Sequence, residues 1–172
     1  MNIRYGNRWD AKLLSGLGAK TFYDSFVEVN TPENIALYLK QSFSEEIQSA
    51  QLSDPETVFL IAELDGSPVG YVKLNLNRDY DSQMNPKTLE IERIYAVKEF
   101  VGKGVGSQLM QACVDEARQR GCNSIWLGVW EKNPRAIRFY KKWGFQEIGM
   151  HTFMLGNDPQ TDYIMELRLE LS

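Results

Sequence analysis

The sequence is poor in the residues that staple or metallate small proteins, with two cysteines and one histidine in 172 residues. A disulfide framework and a Cys/His metal site are both excluded as the basis of the fold. Cys113 and Cys122 lack metal-type spacing and read as small apolar fillers. No apolar run approaches the roughly 18 residues of a membrane span, and the opening MNIRYGNRWD lacks the apolar core of a secretion signal, so a cytoplasmic protein without membrane attachment is expected. Positive charge is not in excess either. Nineteen Lys and Arg against 23 Asp and Glu give a net charge of −4, which disfavours a nucleic-acid binder and mildly favours a cationic partner. With 43% hydrophobic residues and no repeat, low-complexity tract or linker, residues 1–172 read as a single domain.

What is present is an alternation of strand-like and helix-like segments. Ile3 to Tyr5 suits a short strand. Apolar residues recur at helical spacing from Trp9 to about Val29, and Thr31, Pro32 and Glu33 then open a second helix as cap, first position and first-turn acid. TVFLIAEL and SPVGYVKLNL flank Asp65-Gly66, a hairpin signal that makes residues 57–64 and 68–76 antiparallel strands. TLEIERIYAV is the next strand. A helix follows with Val105, Leu109, Ala112, Cys113 and Ala117 on one face and Gly121 as its stop; then come the strand NSIWLGVW and a helix capped by Asn133, begun by Pro134 and ended by Gly144. FQEIGMHTFML and TDYIMELRLEL close the chain as two strands.

Between strand and helix lies VGKGVGS, residues 101–107. A helix start bare of side chains is an anion site, because its first turn has unpaired N–H donors at the positive end of the helix dipole. The nucleotide P-loop pattern fails, since Ser107-Gln108 follows Gly106 where Lys and Ser or Thr are needed. The dinucleotide pattern fails too, because Ser107 and Leu109 stand where its third glycine belongs.

Gly104 and Gly106 leading into a helix, followed by NPRAIRFYKKWGF at 133–145, resemble the GNAT superfamily of N-acetyltransferases. The family's second motif is matched by Asn133, Ala136, Phe139, Tyr140, Gly144 and Phe145; in its first motif Val101 occupies the place of the usual Arg or Gln. LEIERIYAV, IWLGVWEKN and HTFMLGNDPQTDYIM look like the bacterial Pai-type spermidine/spermine acetyltransferases. The resemblance implies an α/β (α+β) fold: a mixed, mostly antiparallel sheet of about six or seven strands flanked by about four helices. It implies acetyl-CoA as acetyl donor and no metal. The diphosphate would rest on the loop and helix start formed by Gly102, Lys103, Gly104, Val105, Gly106 and Ser107. The pantetheine arm would pair with the backbone of Ile94, Tyr95, Ala96 and Val97, and Asn133, Arg135 and Tyr140 would complete the cofactor site.

Acetyl transfer to an amine needs a deprotonated nitrogen, a held oxyanion and a proton for the leaving thiolate. An alkylamine of pKa near 10.4 faces a carboxylate near 4.3, so direct abstraction is uphill by roughly 8 kcal/mol. Desolvation of the ammonium and a water relay to Glu90 or Glu92 is the expected route. A phenol protonating a thiolate is uphill by only about 2 kcal/mol, which suits Tyr140 as general acid. A strand amide near Tyr95 to Val97 would hold the oxyanion. The lone His151 is read as structural or as a substrate contact, since no nucleophile accompanies it. Trp126, Trp130, Phe139 and Trp143 are read as a core aromatic cluster.

In the family the acceptor pocket lies between the first two helices and the loop joining the last two strands. These carry Asp24, Glu28, Glu33, Asp158 and Asp162 here, a set suited to a polycation such as spermidine or spermine. Acetylation of protein or peptide amines and a non-catalytic CoA-binding regulatory module are the alternatives. The resemblance also implies a homodimer.

Overall fold

Asp65 and Gly66 both take positive φ, 51° and 80°, the mirror-image turn that Asp-Gly favours, and so join β2 (Thr57–Leu64) to β3 (Ser67–Arg78) as an antiparallel hairpin. In the computed structural model, which describes residues 1–170, this hairpin is part of a seven-stranded sheet of order β1-β2-β3-β4-β5-β7-β6. The other strands are β1 (Asn2–Tyr5), β4 (Met84–Ala96), β5 (Ser124–Trp130), β6 (Gln146–Leu155) and β7 (Asp158–Arg168). Leu171, expected at the end of the last strand, lies outside the described residues. Every neighbouring pair is antiparallel except β4 and β5, which run parallel.

The helices are α1 (Ala11–Phe26), α2 (Pro32–Ser42), α3 (Glu45–Leu52), α4 (Val105–Gln119) and α5 (Pro134–Trp143). Three helices therefore follow β1 where two were expected. α3 has a local start, with Ser44 Oγ accepting from Ile47 N at 3.2 Å, but its buried residue is Gln48, whose amide donates to Ser42 O. A helix that buries a glutamine leaves no apolar stripe to read. α2 and α5 are capped as their sequences dictate, Thr31 accepting from Asn34 N and Asn133 from Ala136 N, each with proline at the first position.

Each face of the sheet buries a different set. On one, Val105, Leu109, Cys113 and Ala117 of α4 and Tyr140 of α5 meet Val72, Leu74, Leu89, Ile91, Ile125 and Leu127. On the other, Leu14 and Leu17 of α1 meet Phe59, Ile61 and Tyr71, while Phe22, Ile35, Phe43 and Leu155 form an adjoining cluster. Each fully buried leucine or isoleucine contributes about 2 kcal/mol, so both faces are held. The expected tryptophan cluster is divided between them: Phe139 and Trp143 pack on the α4 side, whereas Trp130 lies against Phe26 of α1 and Trp126, buried on the same side of β5, donates from Nε1 to Arg78 O at 2.7 Å. Alternation along β5 separates them, because Ile125, Leu127 and Val129 occupy its other face.

The parallel pairing of β4 and β5 runs only from Thr88 with Ser124 to Ile91 with Leu127. Beyond it β4 stays bonded to β3 as far as Ala96, and β5 to β7 as far as Trp130. The sheet thus opens into a wedge between Glu92–Ala96 and Gly128–Trp130. Strand backbone inside a sheet without a partner strand leaves donors and acceptors for something else to pair.

Candidate active site

The wedge begins at a β-bulge. Lys73 pairs with Arg93 and Leu74 with Ile91, so Glu92 is the extra residue. The bulge turns two successive charged residues to the α1–α3 side. Glu92 accepts from Lys73 Nζ at 2.6 Å and Asn75 Nδ2 at 3.2 Å, while the Arg93 guanidinium stacks 4.3 Å from the Phe43 ring. Asn75 also donates to Glu90 Oε1 at 2.7 Å, and Arg78 stands 3.9 Å from the same carboxylate.

These contacts split the two glutamates. Burial pushes the Glu90 carboxyl above the usual range, only partly opposed by the Asn75 hydrogen bond. Burial acts on Glu92 in the same sense, but Lys73 and Arg93 outweigh it and hold that carboxyl below the ordinary value. Lys73 is itself 5% exposed, and burial lowers its pKa against the opposing pull of Glu92. Lys73, Asn75 and Arg93 were not visible as site residues in the sequence; the signal for Lys73 and Asn75 was polar side chains at alternate positions of a strand, and Arg93 breaks that alternation by following Glu92 directly.

The backbone of β4 beside the wedge corrects one expectation. Val97 N donates to Val69 O at 2.8 Å, so its amide is committed to β3. Because hydrogen-bonding direction alternates along a strand, Tyr95 also faces β3, and Ile94 and Ala96 face the wedge. Of the four expected backbone partners, alternation leaves those two.

Both α4 and α5 start at the wedge end of the sheet, since each directly follows the C-terminal end of a parallel strand. Gly104 caps α4 at φ 87°, a conformation glycine adopts freely. The first intrahelical bond goes from Gln108 N to Gly104 O, which leaves the amides of Val105, Gly106 and Ser107 without helical acceptors. The Lys103 amide is not among the free donors expected there: it donates to Phe100 O at 3.2 Å, and its ammonium lies 5.6 Å from the Phe100 ring. A side chain at Gly106 would meet only Phe139, at an ordinary 3.6 Å, so local packing does not demand glycine there.

On α5, Asn133 spends its side-chain oxygen on the cap, leaving its amide nitrogen as the free donor. Arg135 Nη2 stands 4.0 Å from where a Cβ of Gly102 would be, beside the α4 loop. Arg135, Arg138, Lys141 and Lys142 line a 630 Å³ groove with Phe139, so the net-acidic chain gathers cations along the length of α5. Tyr140 is 9% exposed between the Phe139 and Phe145 rings. Burial, with a smaller push from Cys113, raises its hydroxyl well above the usual phenol value.

A family model for acetyltransferases, described as "Acetyltransferase (GNAT) family", matches residues 21–145. The chain belongs to this family. An uncharacterized N-acetyltransferase of Lactobacillus delbrueckii subsp. lactis is 35% identical to it over 153 residues, 89% of this chain and 88% of the relative. The spermine/spermidine N(1)-acetyltransferase of Bacillus subtilis is 30% identical over 86 residues, 49% of this chain and 57% of that protein. Among solved structures, the PaiA N-acetyltransferase of Thermoplasma acidophilum, determined in complex with coenzyme A, has the same fold at a TM-score of 0.80 and 20% identity, covering 98% of this chain and 100% of that one.

The acids expected to line the acceptor pocket of this GNAT acetyltransferase fall into different settings. Asp24 accepts from Lys20 at 3.2 Å on the surface of α1. Glu28 and Glu33 are exposed, Glu33 in the first turn of α2. Asp158 opens β7 and accepts from Gln160, which also donates to Asn30 in the α1–α2 link at 2.6 Å. Asn157 N donates to Asn34 Oδ1, so the β6–β7 hairpin tip is tied to the start of α2. Asp162, opposite His151 and Trp130 in the ladder, is buried, and desolvation pushes its carboxyl up to about 6 against the lowering effect of His151. Among the described residues no group of three or more His, Cys, Asp and Glu is placed to hold a metal, and no helix is long and apolar enough to cross a membrane.

Proposed function

We propose that this N-acetyltransferase carries acetyl directly from acetyl-CoA to a primary amine of a small cationic acceptor, a polyamine such as spermidine or spermine. The wedge between β4 and β5 carries this reading, because it places unpaired strand backbone, two helix N-termini and a buried acid cluster at one end of the sheet.

The residues fit the donor. The amides of Val105, Gly106 and Ser107 would hold the diphosphate, with Gly106 keeping the first turn bare and Arg135 supplying a cation from α5 where Val101 offers none. Ile94, Ala96 and the Asn133 amide would pair with the amide-rich arm. When bound, acetyl-CoA supplies an acetyl group activated as a thioester.

The chain's own groups divide the proton work. Tyr140, protonated at neutral pH, donates a hydrogen bond to the sulfur as the thiolate leaves, and its burial makes full proton transfer costlier than from a free phenol. Glu92, held ionised by Lys73, attracts the acceptor ammonium. Glu90, whose burial makes it the better base, receives the proton through water. An amide of Ile94 or Ala96 is the oxyanion donor.

The polyamine acceptor is supported by the acids on the α1–α3 side of the sheet and by the name of the Bacillus subtilis relative. Thiol release measured with spermidine, spermine, monoamines, amino acids and N-terminal peptides tests it. Spermidine or spermine is expected to give the highest kcat/KM. Preference for peptides would replace the acceptor, and no release with any amine would leave a CoA-binding regulator.

A further inference from the structure

β5 is an interior strand, yet the backbone of Gly128 in its middle is exposed. Trp126 and Trp130 stand two residues to either side on the same face. A Cβ at 128 would lie 3.0 Å from His151 Cε1 and 3.3 Å from Asp162 Oδ2, so side chains from β6 and β7 lean over this bare backbone. Glu90 and Glu92 approach from the opposite direction, on β4. Two strand spacings, about 10 Å, separate the β4 and β7 backbones where β4 is still paired with β5, and the wedge widens that distance at Gly128.

Asp162 is 9% exposed. Its carboxylate accepts no hydrogen bond among the described residues, and the nearest nitrogen beside it is His151 Nε2 at 3.8 Å. A carboxylate this far desolvated, with a side chain only 13% exposed and no protein donor, gains from a ligand that supplies hydrogen bonds. Trp130, opposite Asp162 in the ladder and 6.0 Å from the Phe26 ring, offers an apolar wall of the kind that accepts methylenes and cations.

We propose that Asp162, seated with His151 over the bare backbone of Gly128, binds a second charged nitrogen of the acceptor, so that the site selects diamines and polyamines over monoamines. This rests on the amine-acetylating reading above and adds to it a selecting residue. An acceptor with one nitrogen satisfies only the β4 carboxylates; a second ammonium reaches across the glycine gap and supplies the hydrogen bonds that Asp162 lacks.

Calorimetric titration of the full chain with spermidine, n-butylamine and CoA tests the proposal in wild type, Asp162→Asn and Gly128→Ala. Asp162→Asn is expected to weaken spermidine binding at least tenfold and n-butylamine binding less than twofold. Gly128→Ala, whose methyl enters the gap, is expected to weaken spermidine in the same direction. Unchanged CoA affinity in both variants reports an intact fold. Equal spermidine affinity in wild type and Asp162→Asn overturns the proposal, as does wild type binding spermidine no better than n-butylamine. Thiol-release assays run in parallel separate the two readings. Asp162-dependent binding of spermidine without turnover removes the acceptor reading and keeps the subsite, whereas spermidine turnover with an unchanged KM in Asp162→Asn does the reverse.

Discussion

Lys73 Nζ lies 2.6 Å from Glu92 Oε2 across the bulge at which β4 leaves β5. The ammonium is buried while the Glu92 side chain is 30% exposed, so the pair is anchored on the lysine side. Glu92→Gln leaves a desolvated cation with weaker partners, at a cost of about 2 kcal/mol. At this chain length that lowers the melting temperature by about 6 °C near pH 7. The loss depends on pH. Burial already lowers the Lys73 pKa below its unfolded 10.5, so between the two values the folded state binds fewer protons and stability rises with pH. Glu92→Gln lowers the folded value further and widens that window, so the deficit against wild type narrows from pH 7 to pH 10. Melting curves at the two pH values check this; a constant deficit contradicts it.

Gly106 separates ligand binding from folding. Valine at Gly104 must adopt φ near 87° and is strained whatever it binds. At Gly106, the second residue of α4, an added Cβ meets Phe139 at ordinary distance and the φ is not in the left-handed region. Gly106→Val is expected to stay within about 1 kcal/mol of wild-type stability and to weaken CoA at least tenfold by covering the first-turn amides. Calorimetry beside thermal melting decides: unchanged affinity removes the diphosphate from this helix start.

Tyr140→Phe tests the proton donor. Among the described residues its hydroxyl makes no hydrogen bond, so removal orphans no partner and stability is expected to hold within about 0.5 kcal/mol. Loss of a positioned acid costs about 10²–10⁴ in rate. The expected outcome is kcat lower by at least a hundredfold, with CoA affinity within twofold of wild type. Steady-state kinetics and CoA titration measure both, and a kcat near wild type assigns the proton to another group.

What the sequence disclosed was what neighbouring residues decide. The Asp65-Gly66 hairpin, the Thr31 and Asn133 caps and the glycine-rich entry to α4 each follow from local backbone preference, and each lies where expected. The bulge at Glu92 was hidden because it is a property of pairing with β3. Lys73 and Asn75 alternate with Val72, Leu74 and Leu76, the pattern of a half-wet strand. Their actual burial comes from the helices that cover that face, which no window on β3 contains. The four aromatics misled for a related reason: composition counts Trp126 and Trp143 together, whereas the pleat of β5 puts a sheet between them.

Asp162 gives a prediction with the opposite sign from Glu92, because burial has raised its carboxyl from 3.8 to about 6. Between those values the unfolded chain binds fewer protons than the folded one, so this group's contribution to stability is greatest below about pH 4 and is lost as pH rises through 6. Above that range the buried anion costs the fold up to about 3 kcal/mol. Asparagine at the same position keeps the shape and removes the charge. Asp162→Asn is therefore expected to raise the melting temperature at pH 8 by several degrees, and to lose that advantage at pH 4, where the wild-type carboxyl is protonated. Spermidine should raise the melting temperature of wild type more than that of Asp162→Asn, because its nitrogen supplies the hydrogen bonds the carboxylate lacks. Thermal melts at both pH values, with and without spermidine, check each part. A variant less stable than wild type at pH 8 would mean that the Asp162 charge holds the β6–β7 hairpin together, in contradiction of this argument. A gain in stability with a loss of spermidine response would mark Asp162 as a residue whose charge costs the folded chain stability and serves its ligand.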